Sequence, residues 1–311
     1  MSELQLNSQL PTHNSSTDML SPTILSSITD LEFVARVTVE GALSGLHRSP
    51  FHGYSAEFSQ YRHYRPGDDL KYIDWKLFAR TDRIYTKQFR ETTNVRMQLV
   101  VDASASMGFR DGAGVSKLEY ARTLASAVAH LVAGQGDACG LTVFDQELRS
   151  YLGSRPGRSH LRALLVMLSK LSARGGTISA PALRRAVDLL RGRGALILFS
   201  DLYEDPDAIE AELKRAARIG HDVSVFHVLT PEEIEWPWRG EVEVEDSETG
   251  ARVIASASGA VDYRARMDAF IRGWRERCTS ANIVYVATRT NMAPAHTLRE
   301  YLLRRGPASG R

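Results

Sequence analysis

Two patterns of apolar residues alternate through the middle of the chain and predict an α/β fold. Short apolar runs predict buried strands, and longer stretches with helical spacing predict helices. The strands are expected near 97–102, 138–145, 195–200 and 222–229, and the helices near 117–134, 159–171, 179–191 and 206–219. Such alternation is typical of a doubly wound, mostly parallel, Rossmann-like sheet with helices on both faces.

The N-terminal part of the chain has a different character. Residues 1–21 are rich in Ser, Thr, Asn, Gln and Pro, which predicts a disordered lead. Apolar spacing over 22–39 predicts a helix capped by Ser21. The stretch that follows, to residue 95, is rich in Gly, His and aromatic residues and lacks a helical pattern, although 84–89 alternates as a strand does.

The C-terminal part carries an expected insertion. The alternation of helix and strand breaks at Pro231, and two strand-like runs at 241–245 and 251–255 predict a β-hairpin inserted at about 231–260. A helix near 261–278, a strand at 283–286 and a helix near 294–304 complete the fold. The expected divisions are the lead at 1–21, an N-terminal helix with irregular and β structure at 22–95, the sheet domain at 96–304 and a tail at 305–311.

Composition narrows the class of protein. A formal net charge of +2 on 311 residues argues against a nucleic acid or a membrane surface as the main partner. No apolar run approaches the roughly 20 residues that span a bilayer, and the N-terminus lacks the order of a signal peptide, so we expect a cytoplasmic protein. Cys139 and Cys278 lie far apart without a CxxC neighbour, which argues against a disulfide framework or a cysteine zinc site.

Three oxygen-bearing side chains, Asp102, Ser104 and Ser106, directly follow the apolar run 97–101. Because the chain turns into a loop past the end of a strand, these side chains can converge there. One carboxylate and two hydroxyls suit a hard divalent cation such as Mg²⁺, and open α/β sheets place ligands at the carboxyl ends of their strands. Taken alone, however, the pattern favours a turn that caps the next helix.

Two further segments supply matching oxygens. Thr177 precedes a helical stretch on a loop whose glycines permit close approach of backbone, and Asp201 ends a second apolar run at 196–200. These five side chains together resemble the complete metal-ion-dependent adhesion site of a von Willebrand factor A-type (vWA) domain. They are Asp102, Ser104, Ser106, Thr177 and Asp201. The resemblance implies direct binding of Mg²⁺, Mn²⁺ or Ca²⁺ by Ser104 and Ser106. It also implies ligation by Thr177 directly or through water, and by the two aspartates mainly through waters.

A second motif lies upstream of the first. It comprises Glu57-Phe58, Arg62-His63-Tyr64-Arg65-Pro66-Gly67-Asp68-Asp69, Ile73-Asp74-Trp75 and Ala79-Arg80. With the Asp-x-Ser-x-Ser-Met motif, this order resembles the bacterial family of domain of unknown function 58, from about Ser44 to Arg304. Members of that family carry a vWA-type domain and are commonly encoded beside MoxR-type AAA+ ATPases. The resemblance therefore implies such an ATPase, or its client, as a protein partner.

The charged residues of the second motif have two interpretations. They form either a partner-docking surface beside the metal site or a clasp in which arginines and aspartates pair with one another. These residues are Arg62, Arg65, Asp68, Asp69, Asp74 and Arg80. A small segment with few buried apolar residues depends on polar contacts for its stability, which favours the clasp for most of these six residues. Trp75 is expected to be buried and to anchor this segment on the sheet domain.

The expected function is a non-enzymatic, metal-dependent protein-interaction module that binds a carboxylate of its partner. The main alternative is a metal-dependent hydrolase or phosphoryl-transfer enzyme that uses Ser104 or Ser106. Neither serine lies in a Gly-x-Ser-x-Gly elbow, and the sequence has no Walker-type phosphate loop, which argues against that alternative. A structural protein with a metal-free site is the third possibility.

Overall fold

The computed structural model describes residues 30–44, 56–66, 68, 72–91, 95–110, 112, 114–176, 179–190, 192–236, 241–245, 251–256 and 260–305. The lead predicted at 1–21 and all but the first residue of the tail predicted at 305–311 lie outside these ranges. Within the described part of the chain, no helix combines the length and the apolar character that crossing a bilayer requires.

Helices and strands alternate along most of the described chain. The strands are β1 (Ala56–His63), β2 (Tyr85–Glu91), β3 (Arg96–Asp102), β4 (Ala138–Phe144), β5 (Leu148–Arg155), β6 (Ala195–Ser200), β7 (Asp222–Leu229), β8 (Glu241–Glu245), β9 (Arg252–Ser256) and β10 (Val284–Arg289). The α-helices are α1 (Leu31–Leu43), α2 (Trp75–Thr81), α3 (Lys117–Gly134), α4 (Arg158–Ser169), α5 (Ser179–Leu189), α6 (Pro206–Ile219), α7 (Pro231–Glu235), α8 (Ala260–Ser280) and α9 (Pro294–Arg305). A short 3₁₀ turn spans Ser106–Gly108.

The main sheet has the strand order β10-β7-β6-β3-β4-β5. Its neighbours are parallel except β4 and β5, which pair antiparallel. The chain passes from β3 to β4 on one side, and β6 later takes the place on the other side of β3. The carboxyl ends of β3 and β6 therefore form a topological switch point, where open α/β sheets bind their ligands.

Alternate residues of β3 enter two hydrophobic clusters because successive side chains of a strand point to opposite faces. Leu99 and Val101 join the cluster formed with α1, α3, α4 and α9. Val100 joins the other, with α5, α6 and α8. Burial of one such side chain contributes about 1.5–3 kcal/mol. The two clusters hold the sheet between helices, which confirms the predicted doubly wound α/β fold.

Strand β5 and helix α7 were missed by the sequence pattern. Most side chains of β5 are only partly buried, since it lies at the edge of the sheet, and so its sequence lacks an apolar run. Helix α7 is a single turn between Thr230 and Trp236. Pro231, which was taken to break the pattern, instead occupies the first helical position, where its missing amide costs nothing.

The structure describes the C-terminal part of the helix predicted over 22–39, as α1 (Leu31–Leu43). Helix α1 begins at Leu31, because the carboxylate of Asp30 accepts hydrogen bonds from the amides of Glu32 and Phe33 and the backbone of Asp30 is extended. An N-cap of this kind marks the start of a helix. Ser21 and the residues up to 29 lie outside the described ranges.

The N-terminal segment contains a second helix that was not predicted. Strands β1 and β2 pair antiparallel, and α2 lies between them in sequence. Asp74 caps α2 by accepting hydrogen bonds from the amides of Lys76 and Leu77, each 3.0 Å long.

The β-hairpin predicted in the C-terminal part is present, since β8 and β9 pair antiparallel from Glu241 opposite Ser256 to Glu245 opposite Arg252.

Candidate functional site

Asp102 is the last residue of β3, and its carboxylate is fully buried. Oδ1 accepts a 3.0 Å hydrogen bond from the amide of Ser104, and Oδ2 accepts a 2.7 Å bond from the hydroxyl of Ser200. These two donors fix the orientation of the carboxylate. Burial, together with the negative charge of Asp201, raises the pKa of Asp102 to about 7. A cation bound beside Asp102 and Asp201 would therefore reduce the repulsion between these two buried carboxylates.

The hydroxyl oxygens of Ser104 and Ser106 lie 3.1 Å apart in the loop after β3. Ser104 is fully buried, whereas Ser106 is partly exposed at the start of the 3₁₀ turn. The amide of Ala103 donates a 2.8 Å hydrogen bond to the carbonyl of Phe144, at the end of β4. This bond ties the start of the loop to the neighbouring strand, so the two hydroxyls are held at the switch point.

Thr177 lies outside the described residues, but the segment that precedes it is bound to the same loop. The amide of Arg174 donates a 3.0 Å hydrogen bond to the carbonyl of Ala103, and the amide of Ala105 donates a 2.9 Å bond to the carbonyl of Gly175. Gly175 has a φ of +74°, a conformation that glycine adopts without strain. The predicted close approach of this loop is therefore present up to residue 176.

Asp201 follows β6 and is buried beside Asp102. The next residue, Leu202, has a φ of +58°, which is uncommon for a residue with a side chain. Its amide donates a 3.0 Å hydrogen bond to the hydroxyl of Ser200, the same hydroxyl that contacts Asp102. Ser200 thus connects the ends of β3 and β6, a role that sequence reasoning missed.

Lys117, to which the sequence patterns assigned no role, lies in the site. Its side chain is 1% exposed, and its ammonium nitrogen lies 2.7 Å from Oδ2 of Asp201 and 2.5 Å from Oε1 of Glu233. The ring centroid of Tyr203 lies 4.8 Å from the same nitrogen. Burial alone lowers the pKa of Lys117, but the charges of Asp201 and Glu233 outweigh burial and raise it. The site therefore holds a protonated amine of its own.

Glu233 reaches Lys117 from the first turn of α7. Its Oε2 accepts a 2.7 Å hydrogen bond from the amide of Thr230, and the hydroxyl of Thr230 accepts one from the amide of Glu233. This is a capping box, and it leaves Oε1 for the ammonium. One feature of the sequence indicates that Lys117 has a partner outside its own helix. Lysine at the first position of α3 is unfavourable for the helix dipole, which indicates a partner elsewhere.

His227 lies behind Asp201 and is fully buried in β7. Its Nε2 is 2.9 Å from the carbonyl oxygen of Asp201, and its Nδ1 is 2.6 Å from the hydroxyl of Tyr285. Burial lowers the pKa of His227 to about 4. The ring is therefore neutral at pH 7, and both of its nitrogens are engaged.

The two serine hydroxyls have a spacing that fits a divalent cation. Mg²⁺ binds oxygens octahedrally at about 2.1 Å, so two adjacent ligands lie about 3.0 Å apart. The observed separation of 3.1 Å, at which one hydroxyl donates a hydrogen bond to the other, is compatible with two adjacent octahedral ligands. Among the described residues, no three His, Cys, Asp or Glu side chains cluster as metal ligands. A metal at the switch point would thus depend on hydroxyl ligands.

The upstream motif contains several internal contacts of a clasp. Arg62 pairs with Asp68 at 2.8 Å, and the other oxygen of Asp68 accepts a 2.9 Å hydrogen bond from the amide of Arg65. Asp74 accepts a 2.9 Å bond from the hydroxyl of Tyr61 in addition to capping α2. The pair of Arg62 and Asp68 agrees with the clasp interpretation, whereas Asp74 serves as a helix cap and an acceptor for Tyr61.

The remaining residues of that motif differ from the prediction or fall outside the description. Trp75 is 61% exposed, so the expectation of a buried anchor is wrong. As the first residue of α2, it contacts Phe78 edge-on on the helix surface instead. Arg65 and Arg80 are exposed, and Asp69 lies outside the described residues.

Comparison with known proteins defines the family. The family model described as "Protein of unknown function DUF58" matches residues 60–276, which is more than half of the chain. The chain therefore belongs to this family, as the two sequence motifs predicted. The uncharacterized protein Rv1480 of Mycobacterium tuberculosis is 29% identical over 239 residues, which cover 75% of this chain and 74% of that protein. The uncharacterized protein YeaD of Bacillus subtilis is 27% identical over 127 residues, 40% of this chain and 29% of that protein.

Solved structures of similar shape are more distant in sequence. An aerotolerance-related membrane protein from Bacteroides fragilis has a TM-score of 0.48 and 19% identity, and covers 67% of this chain and 98% of its own. The VWA domain of SpRpn10 has a TM-score of 0.40 and 14% identity, and covers 66% of this chain and 94% of its own. Nothing about function follows from likenesses this distant.

Proposed function

We propose that this protein is a protein-interaction module that binds a carboxylate of its partner through a divalent cation. Ser104 and Ser106 would bind the cation directly, with Thr177 as a further ligand. Asp102 and Asp201 would act mainly through waters. The observation that carries the proposal is the pair of serine hydroxyls at the switch point, spaced 3.1 Å apart like two adjacent ligands of Mg²⁺.

The surroundings of the two serines support this role. Asp102 is held by Ser200 and by the amide of Ser104, and each of its oxygens retains a lone pair for a water of the cation's shell. The carboxylate therefore supplies negative charge without moving. Ser106 is partly exposed, so a ligand from another protein can approach from its side.

The chemistry of the donors explains why a partner carboxylate is the expected ligand. A bound Mg²⁺ supplies an electropositive centre with open coordination positions. Neutral hydroxyls reduce its charge less than carboxylates do, so Ser104 and Ser106 leave it able to attract an acidic side chain. An acidic residue on the partner would complete the coordination shell.

The proposed partner is a MoxR-type AAA+ ATPase or its client, and the proposed process is the assembly or maturation of a protein complex. This assignment is supported by membership of the DUF58 family over residues 60–276 and by the resemblance stated for the upstream motif.

A hydrolase that uses Ser104 or Ser106 is the weaker candidate. A serine nucleophile needs a base within hydrogen-bond distance. Lys117 stays protonated between two carboxylates, and both nitrogens of His227 are engaged by Tyr285 and by the backbone of Asp201. These contacts favour a binding role over a catalytic one.

The test is affinity capture from native lysate with the full chain as bait, in Mg²⁺ and in EDTA. The matched variants are Ser104→Ala and Ser172→Ala, because Ser172 is an exposed serine outside the site. We expect wild type and Ser172→Ala to capture the same proteins in Mg²⁺, and EDTA and Ser104→Ala to abolish that capture. Recovery of the same proteins by Ser104→Ala, or recovery insensitive to EDTA, would contradict the proposal.

A further inference from the structure

Lys117, Asp201 and Glu233 form a buried charge cluster that the proposed binding reaction leaves unexplained. The ammonium of Lys117 is 1% exposed and contacts both carboxylates, while Tyr203 covers it with its ring. Burial of an amine costs several kcal/mol unless close partners compensate. Two carboxylates and an aromatic face supply that compensation here.

The cluster does not serve the helix on which Lys117 lies. Lys117 follows the N-cap Ser116 as the first residue of α3. The partial positive charge at the N-terminus of a helix disfavours a cation at this position. Ser116 and Glu119 already satisfy the first amides by a capping box. The position of the ammonium therefore follows from Asp201 and Glu233.

The cluster shares Asp201 with the proposed cation site. The formal charges of Lys117, Asp201 and Glu233 add to one negative charge, because a single ammonium faces two carboxylates. Glu233 contributes its charge from α7, whereas Lys117 neutralises Oδ2 of Asp201 directly. Any cation held by Ser104 and Ser106 would meet an aspartate that already has a cationic partner.

We propose that Lys117 and Glu233 set the affinity of the switch-point site for its divalent cation, with Lys117 weakening it and Glu233 strengthening it. This inference rests on the proposed function, since it concerns the same site. Its consequence is a site that holds the cation weakly by itself. Such a site would bind the cation firmly only when an acidic residue of the partner adds its charge.

The experiment is a series of variants that changes the charge of the cluster in single steps. Glu233→Gln removes one negative charge. Its one carbonyl oxygen can keep the capping box, in which glutamine is accepted, and Asp201 then remains the carboxylate partner of Lys117. Lys117→Met removes the ammonium, and the double variant Lys117→Met/Glu233→Gln restores the wild-type net charge. Glu235→Gln is the matched control, because Glu235 lies on the same helix α7 but pairs with Arg289 instead.

Titration of the full chain with Mn²⁺, followed by electron paramagnetic resonance of the free ion, measures each affinity. We expect Glu233→Gln to bind Mn²⁺ roughly tenfold more weakly and Lys117→Met roughly tenfold more tightly, because charges within a protein interior interact strongly. The double variant and Glu235→Gln are expected to bind like wild type. If Lys117→Met does not fold, Glu233→Gln and the double variant carry the test.

Two results separate this inference from the proposed function. Equal Mn²⁺ affinity in wild type, Glu233→Gln and the double variant, together with loss of binding in Ser104→Ala, would overturn the role of Lys117 and Glu233 and leave the site intact. Absence of Mn²⁺ binding in wild type would overturn both proposals. An equal loss of affinity in Glu233→Gln and Glu235→Gln would also overturn the inference, since it would show a general charge effect.

Discussion

The hydroxyl of Ser200 donates a 2.7 Å hydrogen bond to Oδ2 of Asp102 and accepts a 3.0 Å bond from the amide of Leu202. One side chain thereby connects the carboxyl end of β3 with the turn that carries Asp201. Both parts of the proposed cation site depend on this connection, because the two strands contribute their aspartates from separate segments of the chain.

We predict that Ser200→Ala lowers both stability and cation affinity. Loss of a partner for the buried carboxylate of Asp102 costs about 1–3 kcal/mol of unfolding free energy. The carboxylate then keeps only the amide of Ser104 to orient it toward the cation. Denaturant unfolding and Mn²⁺ titration measure the two effects. Ser200→Thr keeps the hydroxyl and serves as the control. Wild-type affinity in Ser200→Ala would show that this hydrogen bond does not position Asp102.

Asp102→Ala is predicted to abolish Mg²⁺ binding while the fold persists. Asp102 ends β3 and lies next to the charge of Asp201, so its removal relieves repulsion between two buried carboxylates when no metal is bound. The hydrogen bonds lost from Ser200 and from the amide of Ser104 oppose this gain, so we expect a melting temperature without metal close to that of wild type. Asp102→Asn, which keeps the shape of the side chain, is the companion variant. Unchanged Mg²⁺ affinity by calorimetry in both variants would place the cation elsewhere.

Most elements from residue 96 onward could be predicted from the sequence, because β3, β4, β6 and β7 are buried apolar runs and the helices between them have regular spacing. One property of parallel sheets predicted that four of the site residues converge. They are Asp102, Ser104, Ser106 and Asp201. Parallel strands of one sheet end at the same edge.

The contacts of Lys117 could not be predicted, because they join residues 84 and 116 positions apart in sequence. No periodicity connects such distant positions. Trp75 was assigned to the interior from its residue type alone. Trp75 begins α2 because Asp74 caps that helix. This cap was not recognised, because the aromatic residues of the segment did not suggest a helix.

Thr177→Ala is predicted to weaken partner capture more than it weakens binding of Mg²⁺ alone. The resemblance to vWA domains implies that the threonine ligates directly in the partner-bound state. Metal and partner should enhance each other's binding, since thermodynamic coupling is reciprocal. Pull-down of the captured partner at matched Mg²⁺, beside calorimetry with Mg²⁺ alone, measures the difference. Equal partner recovery by wild type and Thr177→Ala would argue that docking uses the Arg62–Arg80 segment instead.

The two buried cysteines are predicted to make the fold sensitive to alkali. Burial raises the pKa of Cys139 to about 12, and burial with the charge of Glu210 raises that of Cys278 to about 12. An unfolded thiol releases its proton near pH ~8.5, whereas the folded state keeps it. The unfolded state therefore binds fewer protons above that pH, and stability falls as pH rises toward 12, by about 1.4 kcal/mol per pH unit for each thiol.

Denaturant unfolding at pH 8 and pH 10 tests this sensitivity. The variants Cys139→Ala and Cys278→Ala should each lose part of the difference between the two pH values. The comparison uses the pH difference within each variant, so a general loss of packing cancels. A pH difference as large as that of wild type in both variants would contradict the assignment to the thiols.

Calorimetric titration of Mg²⁺ into the full chain measures whether the switch point binds a cation through Ser104, with wild type, Ser104→Ala and Ser172→Ala measured side by side. The hydroxyl of Ser104 lies 3.1 Å from that of Ser106, and Ser172 lies outside the site. We expect saturable binding of one Mg²⁺ by wild type and by Ser172→Ala, and its loss in Ser104→Ala. Binding of equal affinity in all three proteins, or no binding by wild type, would contradict the proposed cation site.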